Sequence, residues 1–247
     1  MGKIKFLTAS WDNLVMLNYE VDPAILKPYL PARTELDLWQ GKALVSMVGF
    51  MFNNTRVLGV KWPGHVNFEE VNLRFYVRHY NGTEWKRGTV FVSEIVPLSL
   101  IPLVANTLYK EHYRKLPMQH SVIPVDSEHT AYLYQWKLKG VWNKLGATVN
   151  YNFTPMQPGS AEEFILEHYW GYNGLDNVST LEYQVEHVPW RIGEVKEYIF
   201  EADVKALYGD AFASYLTAKP YSAFFAEGSS ISVRGATKLM VNQVLPK

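Results

Sequence analysis

The stretch Asn67–Val77, NFEEVNLRFYV, predicts a β-strand whose two faces differ in chemistry. Successive side chains of a strand point to opposite faces, which separates this stretch into two rows. The apolar row consists of Val71, Leu73, Phe75 and Val77. The polar row consists of Glu70, Asn72, Arg74, Tyr76 and, one residue beyond the stretch, Arg78. Whether the polar row faces water or an interior therefore bears on both fold and function.

Two interpretations of the polar row are open. If it faces water, Glu70 and Arg74 flank Asn72 in a surface ladder that contributes only about 0–1 kcal/mol. If a closed sheet covers both faces, a buried acid, amide and guanidinium are costly unless paired, and proteins usually keep such groups for binding or catalysis. Arg74 would then bind a carboxylate in bidentate fashion, Asn72 would offer amide hydrogen bonds, and Glu70 would act as an acid or base.

The composition indicates a folded protein and narrows its partners. Apolar residues make up 48% of the 247 residues and charged residues only 19%, which argues against a disordered chain. The 24 basic residues balance the 24 acidic ones, so no net charge favours nucleic acid as a partner. Cysteine is absent, which excludes disulfides, thiolate zinc sites and a cysteine nucleophile.

The short motifs favour neither a cofactor nor a membrane. The chain lacks the H-E-x-x-H pattern of metal-binding helices, the G-x-G-x-x-G pattern of dinucleotide sites and a P-loop, so we expect no metal and no cofactor. The opening sequence has no apolar signal segment, and no window is apolar over the length of a membrane span. We therefore expect a cytoplasmic protein without a membrane partner.

Strands outnumber helices along the rest of the chain. Apolar or alternating runs bounded by turn residues predict strands at residues 11–21, 41–52, 87–96, 130–138, 140–146, 147–155, 180–190, 195–204 and 221–239. Helices are predicted within residues 22–31, with Asp22 as the cap, over Ser99–Lys115, and within residues 160–172, where Ser160 and Glu163 form a capping box. This order predicts a mainly β (α+β) fold, with a single domain over residues 1–247 built on a closed or nearly closed antiparallel sheet.

Six motifs, taken in order, resemble a known family. They are NYEVDPAILKPYLP, ELDLWQGKALVSMVGF, FEEVNLRFYV, RGTVFVSEIV, EHYWGY and VEHVPW. Together they resemble the YqjF-like family of uncharacterised bacterial proteins, which is placed in the acetoacetate decarboxylase-like superfamily. The resemblance covers nearly the whole chain and implies a cone-like antiparallel β-barrel with a few helices packed outside and a pocket that opens into the barrel. It implies no particular activity, because a fold alone does not determine a reaction.

The decarboxylases of this superfamily use a lysine that forms a Schiff base, with a neighbouring lysine that lowers the pKa of its ammonium group. The stretch that resembles their lysine segment is LYKEHYRKLPM, in which Tyr113 and Arg114 occupy the two lysine positions. Lys110 and Lys115 lie nearby, but an arginine stays protonated and cannot be the nucleophile. The resemblance therefore implies a retained acidic position, Glu70, without the Schiff-base pair.

Histidines and aromatic residues late in the chain have both structural and functional interpretations. His187 precedes a Pro-Trp corner, where a structural hydrogen bond is the simpler role and a proton shuttle at the pocket mouth is the alternative. His168, Tyr169, Trp170 and Tyr172 are expected to pack in the core and at a helix end, although one tyrosine hydroxyl could reach the pocket.

The leading hypothesis is a barrel whose pocket binds a small organic acid or carbonyl compound. Glu70 and Arg114 are the candidate catalytic residues. The candidate ligand-binding residues are Asn72, Arg74, Tyr113, Lys115 and His187. An enzyme of this kind would be a lyase or hydrolase that uses acid–base chemistry without a metal. The alternative is a non-catalytic protein, either a ligand sensor or an oligomerising structural protein, in which the polar row is a buried structural network. The protein partner considered is a second copy of the chain, in a homo-oligomer.

Overall fold

The computed structural model describes residues 4–99 and 112–240, which are mostly β-strand. The strands are β1 Lys5–Val21, β2 Glu35–Leu36, β3 Ala43–Val57, β4 Phe68–Tyr80, β5 Trp85–Val96, β6 Tyr113–Lys115, β7 Met118–Pro124, β8 His129–Leu138, β9 Val141–Asn150, β10 Thr154–Pro155, β11 Trp170–Asp176, β12 Ser179–Glu186, β13 Arg191–Glu201, β14 Ser222–Arg234 and β15 Thr237–Met240. The helices are a 3-10 helix Pro23–Tyr29, α1 Ala161–Leu166, α2 Val204–Tyr208 and α3 Asp210–Leu216. The prediction of a mainly β fold is confirmed.

Seven of these strands close into a ring. Its order is β12, β11, β5, β4, β3, β1 and β14, and β14 returns to β12 through the pairs Val185–Val233 and Glu186–Ser232. Neighbours in the ring are antiparallel except β11 and β5, which pair in parallel at Trp170–Gly88. From β14 the sheet continues through β13, β9 and β8 to β7.

The ring divides the apolar residues into two cores, one on each side of the sheet. The outer core lies between β1, β3 and β4 on one side and β8, β9, α2 and α3 on the other, and it contains Leu17, Val45, Trp136 and Phe212. The inner core fills part of the ring interior and includes three successive residues of α1, Phe164–Leu166. Strands covered on both faces need apolar or partnered side chains on both, which explains why β3 is buried from Ala43 through Phe52.

Gly49 allows β8 to pack directly against β3. A Cβ atom at Gly49 would lie 2.7 Å from the ring of Tyr134, closer than real side chains approach. The Tyr134 hydroxyl donates a hydrogen bond of 2.7 Å to the backbone oxygen of Asn13 and fixes the ring in that position. Glycine at this point of β3 therefore brings the outer layer into contact with the ring.

Helix starts agree with the sequence better than helix ends. Asp22 accepts a hydrogen bond from the backbone N–H of Ala24, and Ser160 accepts one from Glu163, so both predicted caps are confirmed. However, α1 ends at Leu166, and the chain enters β11 at Trp170 because that residue pairs with the ring.

Three other predictions differ from the structure or lie outside it. The two strands predicted at residues 140–146 and 147–155 are mainly one strand, β9. Of the helix predicted over Ser99–Lys115, residues 100–111 lie outside the described part of the chain. The last three residues of that predicted helix form the strand β6 instead, because Tyr113–Lys115 pair in parallel with Glu94–Val96 of β5.

Among the described residues, no helix has the length and apolar character needed to cross a bilayer.

Candidate functional site

The ring interior contains a cavity of about 120 Å³. An engineered apolar cavity of about 150 Å³ holds benzene, so this one suits a ligand of roughly six non-hydrogen atoms. Every strand of the ring contributes to its wall, and most of the lining is apolar or aromatic, including Trp11, Phe50, Phe91 and Trp190. A mostly apolar, concave site with a few polar groups is typical of small-molecule binding sites.

The polar groups of the cavity wall come mainly from β4. Glu70, Asn72 and Arg74 line the cavity and are only 2%, 2% and 8% exposed. The opposite face of the strand packs in the outer core, so the polar row points into the ring. Of the two interpretations offered by the sequence, the structure therefore has the buried one.

Glu70 is the centre of a short hydrogen-bond network. The Asn72 side-chain amide donates to its Oε1 atom at 2.9 Å, and the Tyr113 hydroxyl donates to its Oε2 atom at 3.0 Å. Within the described part of the chain, two buried atoms beside this network have no hydrogen-bond partner, the Asn72 Oδ1 and the Arg74 Nε. One is an acceptor and the other a donor, and both belong to residues that line the cavity.

Strand β6 separates Tyr113 from its two basic neighbours. Tyr113 lines the cavity, whereas Arg114 and Lys115 are exposed and do not contribute to its wall. The Lys115 ammonium donates a hydrogen bond of 2.7 Å to Ser99. The cavity therefore brings together Tyr113 with the β4 row but not Arg114 or Lys115: alternation along β6 directs Arg114 to the opposite face from Tyr113, and Lys115 lies beyond the cavity wall.

His187 forms part of the wall between the cavity and an open groove on the surface. Its ring stacks 4.2 Å from Trp190 and lies 4.7 Å from Tyr169, and its Nδ1 is 2.8 Å from the backbone oxygen of Val188. Burial lowers the pKa of His187. Both roles considered for this residue, structural bonding and access to the pocket mouth, fit this position.

Glu94 also lines the cavity, although it was not among the candidate site residues. It is 2% exposed and lies opposite Asn72 on the neighbouring strand, whereas Phe91 lies opposite Arg74. Asn72 and Arg74 are two residues apart on β4, but their partners Glu94 and Phe91 are three residues apart on β5, because a bulge adds one residue to β5. Simple alternation therefore assigns Glu94 to the wrong face, and the available signal was a lone acid inside the apolar run TVFVSEIV.

His168 lines the cavity from the segment between α1 and β11. It packs as expected, with its ring 4.7 Å from Tyr76 and 5.1 Å from Phe164. The sequence did not reveal its polar partner: the Nε2 atom is 3.2 Å from Asp37, which also accepts a hydrogen bond of 2.6 Å from Arg87.

Burial sets the charge state of His168. Removal from water lowers the pKa of His168 to about 4, although the nearby Asp37 opposes this shift. For Asp37, burial acts to raise the pKa, but hydrogen bonds from His168 and Arg87 outweigh it and hold the pKa below its ordinary value. At neutral pH the pair is therefore a neutral imidazole beside a carboxylate.

Within residues 4–99 and 112–240, no group of three His, Asp or Glu side chains is arranged to hold a metal ion.

Comparison with known proteins identifies the family. The family model DUF2071, described as an uncharacterised conserved protein, matches residues 8–230. The chain is a DUF2071 protein. The chain is also similar to the uncharacterised protein YqjF of Bacillus subtilis, with 28% identity over 213 residues that cover 83% of each chain.

Solved structures show that this DUF2071 protein has an acetoacetate decarboxylase-like fold. The acetoacetate decarboxylase of Legionella pneumophila superposes with a TM-score of 0.64 at 13% identity, covering 96% of this chain and 88% of the other. An acetoacetate decarboxylase-like enzyme of Sphingomonas wittichii gives 0.64 at 16% identity, with 95% and 93% covered. The enduracididine biosynthesis enzyme MppR in complex with pyruvate gives 0.66 at 15% identity, with 95% and 90% covered. At these identities the likeness establishes the fold alone.

Proposed function

We propose that the cavity binds a small organic acid or carbonyl compound. The observation that carries this proposal is the buried Arg74, whose Nε lacks a hydrogen-bond partner within the described residues, on the wall of a cavity of about 120 Å³. A guanidinium stays charged at any ordinary pH, and a buried charge is costly unless an anion or polar group meets it. A ligand carboxylate or carbonyl oxygen would supply that partner.

Each group of the polar wall then has a distinct role. Arg74 binds the carboxylate or carbonyl oxygen, and the Asn72 Oδ1 accepts a hydrogen bond from the ligand. Glu70 is the candidate acid or base, with its orientation set by the hydrogen bonds from Asn72 and Tyr113. The reaction class that suits this set is a lyase or hydrolase that works without a metal and without a Schiff base.

The size and fold of the site support this ligand class. MppR, which shares the fold, has been solved in complex with pyruvate, a small keto acid. A ligand of that size suits a cavity that admits roughly six non-hydrogen atoms. The mostly apolar and aromatic lining lowers the local dielectric constant, which strengthens the pairing of a ligand anion with a buried guanidinium.

The competing proposal is that the polar row is a structural network in a non-catalytic protein. The two donors on Glu70 favour it, because satisfied networks of this kind also occur in protein interiors without a ligand. A ligand sensor would share the binding site but not the chemistry.

Ligand-induced melting shifts test the binding proposal. A panel of short carboxylic acids and carbonyl compounds should raise the melting temperature of the wild type, since a ligand at about 100 times its Kd stabilises by about 2.7 kcal/mol. The shift should be lost in Arg74→Met. It should persist in the matched control Arg78→Met, on the same strand, where the arginine side chain is 40% exposed and its guanidinium pairs with Glu35.

The same experiment separates the two proposals. Absence of any shift with every compound, combined with a large loss of stability in Glu70→Gln, would favour the structural network. Where a compound binds, following its consumption by NMR distinguishes an enzyme from a sensor, and Glu70→Gln should abolish turnover while binding remains.

A further inference from the structure

Besides the β4 row, the cavity wall contains a buried histidine, His168. Its side chain is 1% exposed, and it lines the cavity together with Arg74. Both residues lie against the ring of Tyr76: the Arg74 guanidinium carbon is 6.0 Å from the centre of that ring, and the centre of the His168 ring is 4.7 Å from it. A ligand anion paired with Arg74 therefore lies within reach of His168.

The contact with Asp37 determines which ring nitrogen of His168 carries the proton. The Nε2 atom is 3.2 Å from the Asp37 Oδ2, and a carboxylate can only accept a hydrogen bond. The proton of a neutral imidazole must then be on Nε2, which leaves Nδ1 as a hydrogen-bond acceptor. Arg87 donates to the same carboxylate oxygen at 2.6 Å and keeps Asp37 ionised and oriented.

The Nδ1 atom of His168 is buried and has no hydrogen-bond partner in the part of the chain that the structure describes. A buried acceptor without a donor is unfavourable, so a site of this kind favours a ligand that brings one. A ligand carbonyl oxygen would instead place a lone pair against the Nδ1 lone pair.

We infer that His168 is a specificity-determining residue that selects ligands bearing a hydroxyl donor, and that Asp37 is the residue that positions it. This inference rests on the proposed function and narrows the ligand class: a short hydroxy acid, or the enol form of an oxo acid, is preferred over a simple keto acid. The carboxylate pairs with Arg74 while the adjacent hydroxyl donates to Nδ1 of His168.

Lactate and pyruvate provide matched probes, because they share a carbon skeleton and differ in a hydroxyl against a carbonyl. At neutral pH the wild type should bind lactate about five- to tenfold more tightly than pyruvate, as measured by calorimetry, which is the scale of one net hydrogen bond. In His168→Phe, which retains a ring of similar shape and leaves Asp37 paired with Arg87, the preference should disappear.

A control variant and a spectroscopic readout separate this role from a structural one. His79→Phe alters another buried histidine, which contacts Arg33 and does not line the cavity, so it should keep the preference. Nitrogen NMR should show His168 as the Nε2–H tautomer, with its Nδ1 signal shifted by lactate. In Asp37→Leu that tautomer should no longer be fixed, and the preference for lactate should fall.

The possible outcomes distinguish this inference from the proposal beneath it. Binding of both acids without a preference, or a preference that survives in His168→Phe, would overturn the role of His168 and leave the proposed function intact. Failure of the wild type to bind any short acid would overturn the proposed function, and this inference with it.

Discussion

The two faces of β4 are buried to nearly the same degree but contain opposite chemistry. On the outer face Val71, Leu73 and Phe75 are fully buried among other apolar side chains. On the inner face Glu70 and Arg74 are almost as deeply buried but line a cavity. Burial of the first face stabilises the fold, whereas burial of polar groups on the second opposes it unless they are paired. This difference is the basis of the proposal that the inner face binds a ligand.

The largest effect should come from the outer face. In Phe75→Ala, loss of a fully buried ring should lower the free energy of unfolding by about 3–5 kcal/mol, through lost burial and the cavity that remains. Urea denaturation measures this change, and ligand binding by the folded fraction should persist. A loss below about 1 kcal/mol would show that the outer face does not stabilise the ring as proposed.

The inner side should make stability depend on pH. Because burial lowers the pKa of His168 to about 4, from an ordinary value of 6.5, the unfolded chain binds the proton more readily between these values. Stability should therefore fall as the pH falls from about 6.5 to about 4, by about 3 kcal/mol from this residue. Asp37, whose pKa is lowered, acts only at still lower pH.

Denaturation curves between pH 7 and pH 4 for the wild type and His168→Phe measure this contribution. The variant should lose most of the pH dependence and retain a smaller part from His187, whose pKa burial also lowers. Equal slopes in the two proteins would show that His168 is protonated in the folded state at these pH values, contrary to its burial.

A smaller effect on stability should come from Arg74→Met. The substitution keeps the length of the apolar stem and removes a buried charge whose Nε lacks a hydrogen-bond partner among the described residues. We expect a change in the free energy of unfolding of about 1 kcal/mol or less, measured beside Phe75→Ala. A loss as large as that of Phe75→Ala would make the inner face as structural as the outer one and would weaken the contrast between them.

Local patterns predicted much of this molecule. Alternation along β4 correctly separated its two faces, and Asp22 and Ser160 marked helix starts, because each of these features depends on residues a few positions apart. Five of the candidate site residues line one cavity; they are Glu70, Asn72, Arg74, Tyr113 and His187. Their roles stay predictions.

The features that the sequence did not predict depend on distant pairing. The bulge in β5 arises from its register with β4, and it brings Glu94 to the inner face. Asp37 and His168 are 131 positions apart, so no local spacing joins them. Arg114 and Lys115 were placed in the pocket by motif position, whereas the pairing of β6 with β5 determines their actual directions.

The contrast between inner and outer faces extends to β6 and predicts a null result. Reduction with borohydride in the presence of pyruvate or acetoacetate should give no stable adduct, because no lysine of residues 4–99 or 112–240 lines the cavity. Intact-mass measurement detects an adduct, and peptide mapping locates it. An adduct on Lys110, or one on Lys115 that disappears in Lys115→Arg, would restore a Schiff-base mechanism. Without one, Tyr113 is the β6 side chain that reaches Glu70, and a hydroxyl in that place supports hydrogen bonding and proton transfer rather than covalent capture of a carbonyl carbon.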